Sequence, residues 1–147
     1  MKKYSFLLLL AAFTGVLFFS ACTKEADKPE EENPAPTVTS KFTWSQSSTN
    51  YTADYSEFVP DFNNIYASKI DGSSIDIFLD NLNKGAHTIV PTAGRTFVYT
   101  DSNGIKHEAT SGSVTISENT GTTLSGSYSC TLDIGTISGS FSNIPKK

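Results

Sequence analysis

Ser111-Gly112-Ser113-Val114-Thr115, Leu124-Ser125-Gly126-Ser127-Tyr128-Ser129 and Ile137-Ser138-Gly139-Ser140-Phe141-Ser142 state one pattern three times in succession. Small hydroxyl residues alternate with apolar residues or glycine, the period of two that a half-buried strand requires. From Leu124 the alternation is strict. Leu124, Gly126, Tyr128, Cys130 and Leu132 fall on one face, and Thr123, Ser125, Ser127, Ser129, Thr131 and Asp133 on the other. The stretch predicts a three-strand meander with one face in the core and one in water.

The turns suggest a register. Asn119-Thr120-Gly121 suits a three-residue hairpin loop closed by a left-handed glycine, which sets Glu118 opposite Thr122, Ile116 opposite Leu124 and Gly112 opposite Tyr128. Ile134-Gly135 as a two-residue loop sets Leu132 opposite Ile137, Cys130 opposite Gly139 and Tyr128 opposite Phe141. In both hairpins inward residues meet inward residues, and a one-residue slip would turn an apolar row to solvent. The glycines are expected to make room for Tyr128 and Cys130.

Upstream, residues 41–45 alternate with Phe42 and Trp44 on one face, and residues 50–54 offer a second strand. Residues 55–64 are less regular: Pro60 breaks any central strand, so this part reads as a loop or broken edge strand. Residues 65–70 and 74–79 flank Asp71-Gly72-Ser73 as a hairpin, with Ile75, Ile77 and Leu79 inward and Asp76 and Asp80 outward. Residues 84–89 form a short strand ended at Pro91. Residues 96–101 and 105–110 surround Ser102-Asn103-Gly104 and place Phe97 opposite Ala109 and Tyr99 opposite His107. The sum is an all-β domain, an antiparallel meander of about eight or nine strands. Alternation is common to a β-sandwich and to a flattened, lipocalin-like barrel, and both stay open.

Lys2 and Lys3 followed by the apolar residues 6–19 form the basic and hydrophobic regions of an export signal, too short for a comfortable membrane span. Phe19-Ser20-Ala21-Cys22 resembles the lipobox of bacterial lipoproteins, which implies cleavage after residue 21 and acylation of Cys22. Thr23-Lys24-Glu25-Ala26-Asp27 resembles the export tag of Bacteroidota surface lipoproteins. Residues 22–40 are then a lipidated cysteine and an acidic, proline-containing tether, with nothing to bury. Residues 41–147 are one domain, since about 105 residues suffice for one core and not for two. The expected location is the outer membrane, lipid-anchored; the tag resemblance implies exposure at the cell surface, and its alternative, ordinary solvated linker charges, leaves the leaflet open. Loss of Lys2 and Lys3 takes the net charge from −4 to about −6, which argues against nucleic acid as a partner.

Little in the chain has the pattern of catalysis. His87 and His107 are the only imidazoles, both at strand positions and without a nucleophile motif or metal-ligand spacing. Cys130, on an inward row, reads as a small hydrophobe. Asp101-Ser102-Asn103-Gly104 reads as a turn rather than a calcium loop, because further acidic ligands do not follow. Asp54, Glu57 and Asp61 lie close in sequence, but glycosidase chemistry needs a fixed separation and one raised pKa. No catalytic residue, metal site or cofactor is expected. The candidate ligand-binding set is Trp44, Tyr51, Tyr55, Phe58 and Phe62, because flat rings with flanking acceptors can stack on sugars or grip an apolar partner. The competing reading makes these rings a cap on one end of the core.

The signal, the Cys22 region, residues 74–79, Lys84-Gly85-Ala86-His87-Thr88 and above all the three meander strands through Pro145 resemble a family of small Bacteroidota lipoproteins whose domain has no assigned function. The resemblance implies the sandwich or barrel fold and carries over no site. The expected function is a non-enzymatic binding module of the cell envelope, with a glycan or another extracellular ligand as target. Its alternatives are a structural or protein-interaction subunit of an outer-membrane complex, or a barrel holding a small apolar ligand.

Overall fold

Strict alternation produces the longest strands of the molecule. In a computed structural model describing residues 39–147, β9 (Ser111–Asn119), β10 (Thr123–Leu132) and β11 (Gly135–Pro145) form the expected meander. Before them come β1 (Lys41–Gln46), β2 (Thr49–Thr52), β3 (Tyr55–Val59), β4 (Asn64–Ser68), β5 (Ser74–Phe78), β6 (Gly85–Thr88), β7 (Thr96–Thr100) and β8 (Lys106–Glu108). The expected signal peptide, Cys22 and the expected tether as far as residue 38 lie outside the described residues. The described part therefore holds eleven strands, more than the eight or nine expected.

The strands build two antiparallel sheets that face each other without closing into a barrel, so of the two architectures the sandwich stands. One sheet has six strands in the order β2-β1-β11-β10-β9-β6, the other five in the order β3-β4-β5-β7-β8. Strand β6 leaves its neighbours to pair with β9, which brings β5 against β7. Residues 55–64, expected as a loop or broken edge strand, supply the edge strand β3. It ends at a short 3-10 turn, Pro60–Phe62, closed by Asn63 in the left-handed conformation.

Along β10 beyond their bulges, both meander hairpins pair two residues away from the expected register. The loop between β10 and β11 is Asp133-Ile134, not Ile134-Gly135, so Leu132 meets Gly135, Cys130 meets Ile137 and Tyr128 meets Gly139. In the other hairpin Leu124 meets Asn119, and a bulge after Ser125 then brings Gly126 to Ile116 and Cys130 to Gly112. A second bulge lies on β11, where Asn143 adopts φ 50° and donates its backbone N–H to Ser125 Oγ at 3.0 Å. The inward row survives because a shift of two keeps parity.

The glycines do make room, with their partners exchanged. A Cβ on Gly139 would strike the Thr43 carbonyl and lie 2.7 Å from Tyr128 Oη, which instead donates to that carbonyl at 3.0 Å. A Cβ on Gly112 would lie 2.8 Å from Cys130 Sγ. The space beneath is filled by rings: Phe42 stacks on Phe141 at 5.8 Å, and Tyr128 reaches across to Phe97 of the opposite sheet at 5.4 Å. Ile65, Ile75, Ile77 and Phe97 complete the core from the five-stranded side, all fully buried. Every described core residue falls within 42–144. At one corner the end of β11 ties the sheets together: the Lys146 N–H donates to Thr122 O, and the Lys147 N–H to Phe58 O.

Candidate functional site

The five candidate rings do not form one platform. Trp44 and Phe58 are each 1 % exposed, so both rings belong to the core and neither offers a face to a ligand. The alternation that puts Phe42 and Trp44 inward is the reason. Trp44 lies under Tyr51 at 5.4 Å with the planes 16° apart, and its Nε1 is the one fully buried side-chain polar atom without a hydrogen bond among the described residues. Tyr51 is partly buried against that edge of the core. Tyr55 and Phe62 are the exposed members, 52 % and 72 %, and both belong to the five-stranded side. For Trp44 and Phe58 the core-capping alternative is what the fold contains.

The nearby carboxylates separate too. Asp54 Oδ2 accepts the Ile70 N–H at 2.8 Å and braces the β4–β5 loop. Glu57 is buried on the outer side of β3, where Tyr55 Oη donates to its Oε2 at 2.5 Å and Lys147 Nζ to its Oε1 at 3.0 Å. The Tyr55 hydroxyl, with the Lys147 ammonium, holds this carboxyl below the usual range; in return Tyr55 and Lys147 are held above theirs. Asp61 is exposed in the 3-10 turn.

Both histidines are engaged in tying elements together. His87 Nε2 lies 2.8 Å from the Asn83 carbonyl, with Nδ1 3.5 Å from Asp80 Oδ1; Arg95 approaches the same carboxylate at 3.8 Å. His107 stacks on Tyr99 and meets Asp133 Oδ1 at 2.9 Å, linking β8 to the β10–β11 turn of the other sheet. Asp101 Oδ1 accepts the N–H groups of Asn103 and Ile105, each at 2.9 Å, as the turn reading requires. Cys130 is 1 % exposed, and burial pushes its thiol up to about 12, out of reach of a neutral-pH nucleophile. Among the described residues no three metal-ligating side chains converge.

The chemistry that does gather lies on the outer face of the five-stranded sheet. Strand pairing runs Glu57, Tyr66, Asp76, Val98 and Glu108 in one row across all five strands. A second row holds Val59, Asn64, Phe78 and Thr96. Tyr55 lies 6.4 Å from Tyr66, and Phe78 is 38 % exposed. Asp76, Phe78, Val98, Lys106 and Glu108 line a groove of about 310 Å³. Alternation alone marks Asp76 as outward. Its row could not be read from the sequence, because β6 crosses to the other sheet and only that crossing makes β5 and β7 neighbours.

No family model, curated protein or solved structure matches the chain.

Proposed function

We propose that this chain is a lipid-anchored lipoprotein of the bacterial outer membrane, of the kind seen in small Bacteroidota lipoproteins, whose β-sandwich is a non-enzymatic module that binds an extracellular glycan. The observation carrying the binding half of this reading is the outer face of the five-stranded sheet, where Tyr55, Tyr66 and Phe78 stand among Glu57, Asp76 and Glu108. Rings beside hydrogen-bond acceptors suit sugars, whose faces are apolar and whose rims carry hydroxyl donors. The anchoring half rests on the signal and on Ser20-Ala21-Cys22.

Two readouts on one strain test both halves. Cells expressing the full chain are fed an alkyne-tagged fatty acid and then offered immobilised polysaccharides. The expected result is label in the wild type and none in Cys22→Ala, with only the wild-type cells retained on a glycan. Label in Cys22→Ala would end the lipoprotein reading. Retention of neither strain on any polysaccharide would end the glycan reading and move the weight to a protein-interaction subunit.

A further inference from the structure

The carboxylates of the outer row are not equivalent. Glu57 is occupied by Tyr55 and Lys147. Asp76, in the middle of the row, is half-buried; the Asn64 side chain bonds toward its carboxyl and also donates to the Ile77 carbonyl at 3.3 Å, and Lys106 is the nearby cation. Burial holds the Asp76 carboxyl above the usual range against the opposing pull of Asn64 and Lys106. Asp76 stands half-buried in a groove beside the exposed Phe78 ring, where a ligand resting on the ring would meet its carboxyl.

The groove's lining indicates what that ligand is. Phe78 and Val98 give an apolar floor, with Asp76 and Glu108 as acceptors beside it. With Glu57 and Lys147 paired, the row leaves two carboxylates, Asp76 and Glu108, against Lys106, and this balance disfavours a polyanion. The trough on the other sheet also has rings in its lining, Tyr51 and Trp44 beside Thr43, Ser45, Asn50 and Ser138, but Trp44 is buried and Tyr51 is partly buried against the core, whereas Phe78 is exposed.

We propose that the Asp76–Phe78 groove is a subsite for one unit of a neutral glycan, whose ring stacks on Phe78 and whose neighbouring hydroxyls donate to Asp76 and Glu108. This rests on the binding-module reading and names its site and ligand class.

Isotope-labelled protein starting at Thr37, which retains every described core residue, is titrated with neutral gluco-, manno- and xylo-hexaoses and separately with polygalacturonate and heparin fragments, following backbone amide shifts. The expected result is a saturable shift at Asp76, Phe78, Val98 and Glu108 with a neutral sugar, weakened at least tenfold by Asp76→Asn and by Phe78→Ala in proteins that still melt cooperatively. Shifts on the six-stranded face alone would overturn the subsite and leave the binding module standing. Response only to polyanions would overturn the ligand class. Silence toward every sugar would overturn both.

Discussion

The two outer faces of this sandwich are made from different alphabets. On the six-stranded sheet the outward positions of β9, β10 and β11 are almost all serine or threonine, and the ladder pairs with itself: Thr43 lies 3.2 Å from Ser140 through their hydroxyls, and Ser45 3.4 Å from Ser138. On the five-stranded sheet the same positions carry Tyr55, Glu57, Tyr66, Asp76, Phe78, Val98 and Glu108. Hydroxyls that bond locally keep long strands soluble without adding charge. Carboxylates and partly exposed rings side by side do nothing of that kind. One face is a ladder of hydroxyls, and the other gathers rings and carboxylates.

Interfering with the inner side of the six-stranded sheet should do the most damage. Gly139→Val puts a branched side chain against the Thr43 carbonyl and the Tyr128 hydroxyl. It should cost about 3 kcal/mol or more, lowering Tm by roughly 15 °C in thermal unfolding. Tm within a few degrees of wild type would mean that the close approach of β1 and β11 is not needed.

A smaller loss is expected on the outer side of the five-stranded sheet. Glu57→Gln removes the acceptor shared by Tyr55 and Lys147 and should cost about 1 kcal/mol near neutral pH. Because the folded carboxyl is held low, this stability is present above the ordinary glutamate range and is lost as pH falls through the lowered folded value. Wild type and variant should therefore converge in strong acid, as denaturant melts at several pH values would record. A gap that persists there would point to packing rather than charge.

Asp76→Asn should move the other way. With the folded carboxyl raised, the folded state binds the proton more tightly than the unfolded state, so stability falls as pH rises from the unfolded value through the raised one. The amide removes that cost: the variant should melt above wild type at pH 7, and the gain should vanish below about pH 3. A lower Tm at pH 7 would show that the carboxylate supports the fold.

Least affected should be the hydroxyl face. Ser127→Ala and Ser140→Ala should each stay within about 0.5 kcal/mol of wild type in denaturant melts, since both side chains are exposed. A loss above 1 kcal/mol would give the serine ladder a larger share of stability than the comparison allows.

Much of the fold was legible because its strands alternate cleanly. The inward row of β10, the outward Asp76 and the pairing of Tyr99 with His107 follow directly from a period of two. That same period leaves a register shifted by two residues with an identical inward row, which is why both meander hairpins could be misplaced without any conflict in the pattern. The bulges at Ser125 and Asn143, and the choice of Asp133-Ile134 as the loop, depend on tertiary fit rather than on turn residues alone. The aromatic set around Trp44 and Phe58 was grouped by closeness in sequence, whereas burial is decided by strand phase, which sends both rings inward. The row through Asp76 needed knowledge of which strands are neighbours, and the crossing of β6 conceals it.

The contrast between the faces is tested most directly by calorimetric titration of a neutral hexasaccharide into two variants of the domain beginning at Thr37. One carries Asp76→Asn and Phe78→Ala on the five-stranded side; the other carries Ser127→Ala, Ser138→Ala and Ser140→Ala on the six-stranded side. We expect the first to lose binding and the second to bind as wild type does. Binding retained by the first and lost by the second would contradict the assignment of the working face.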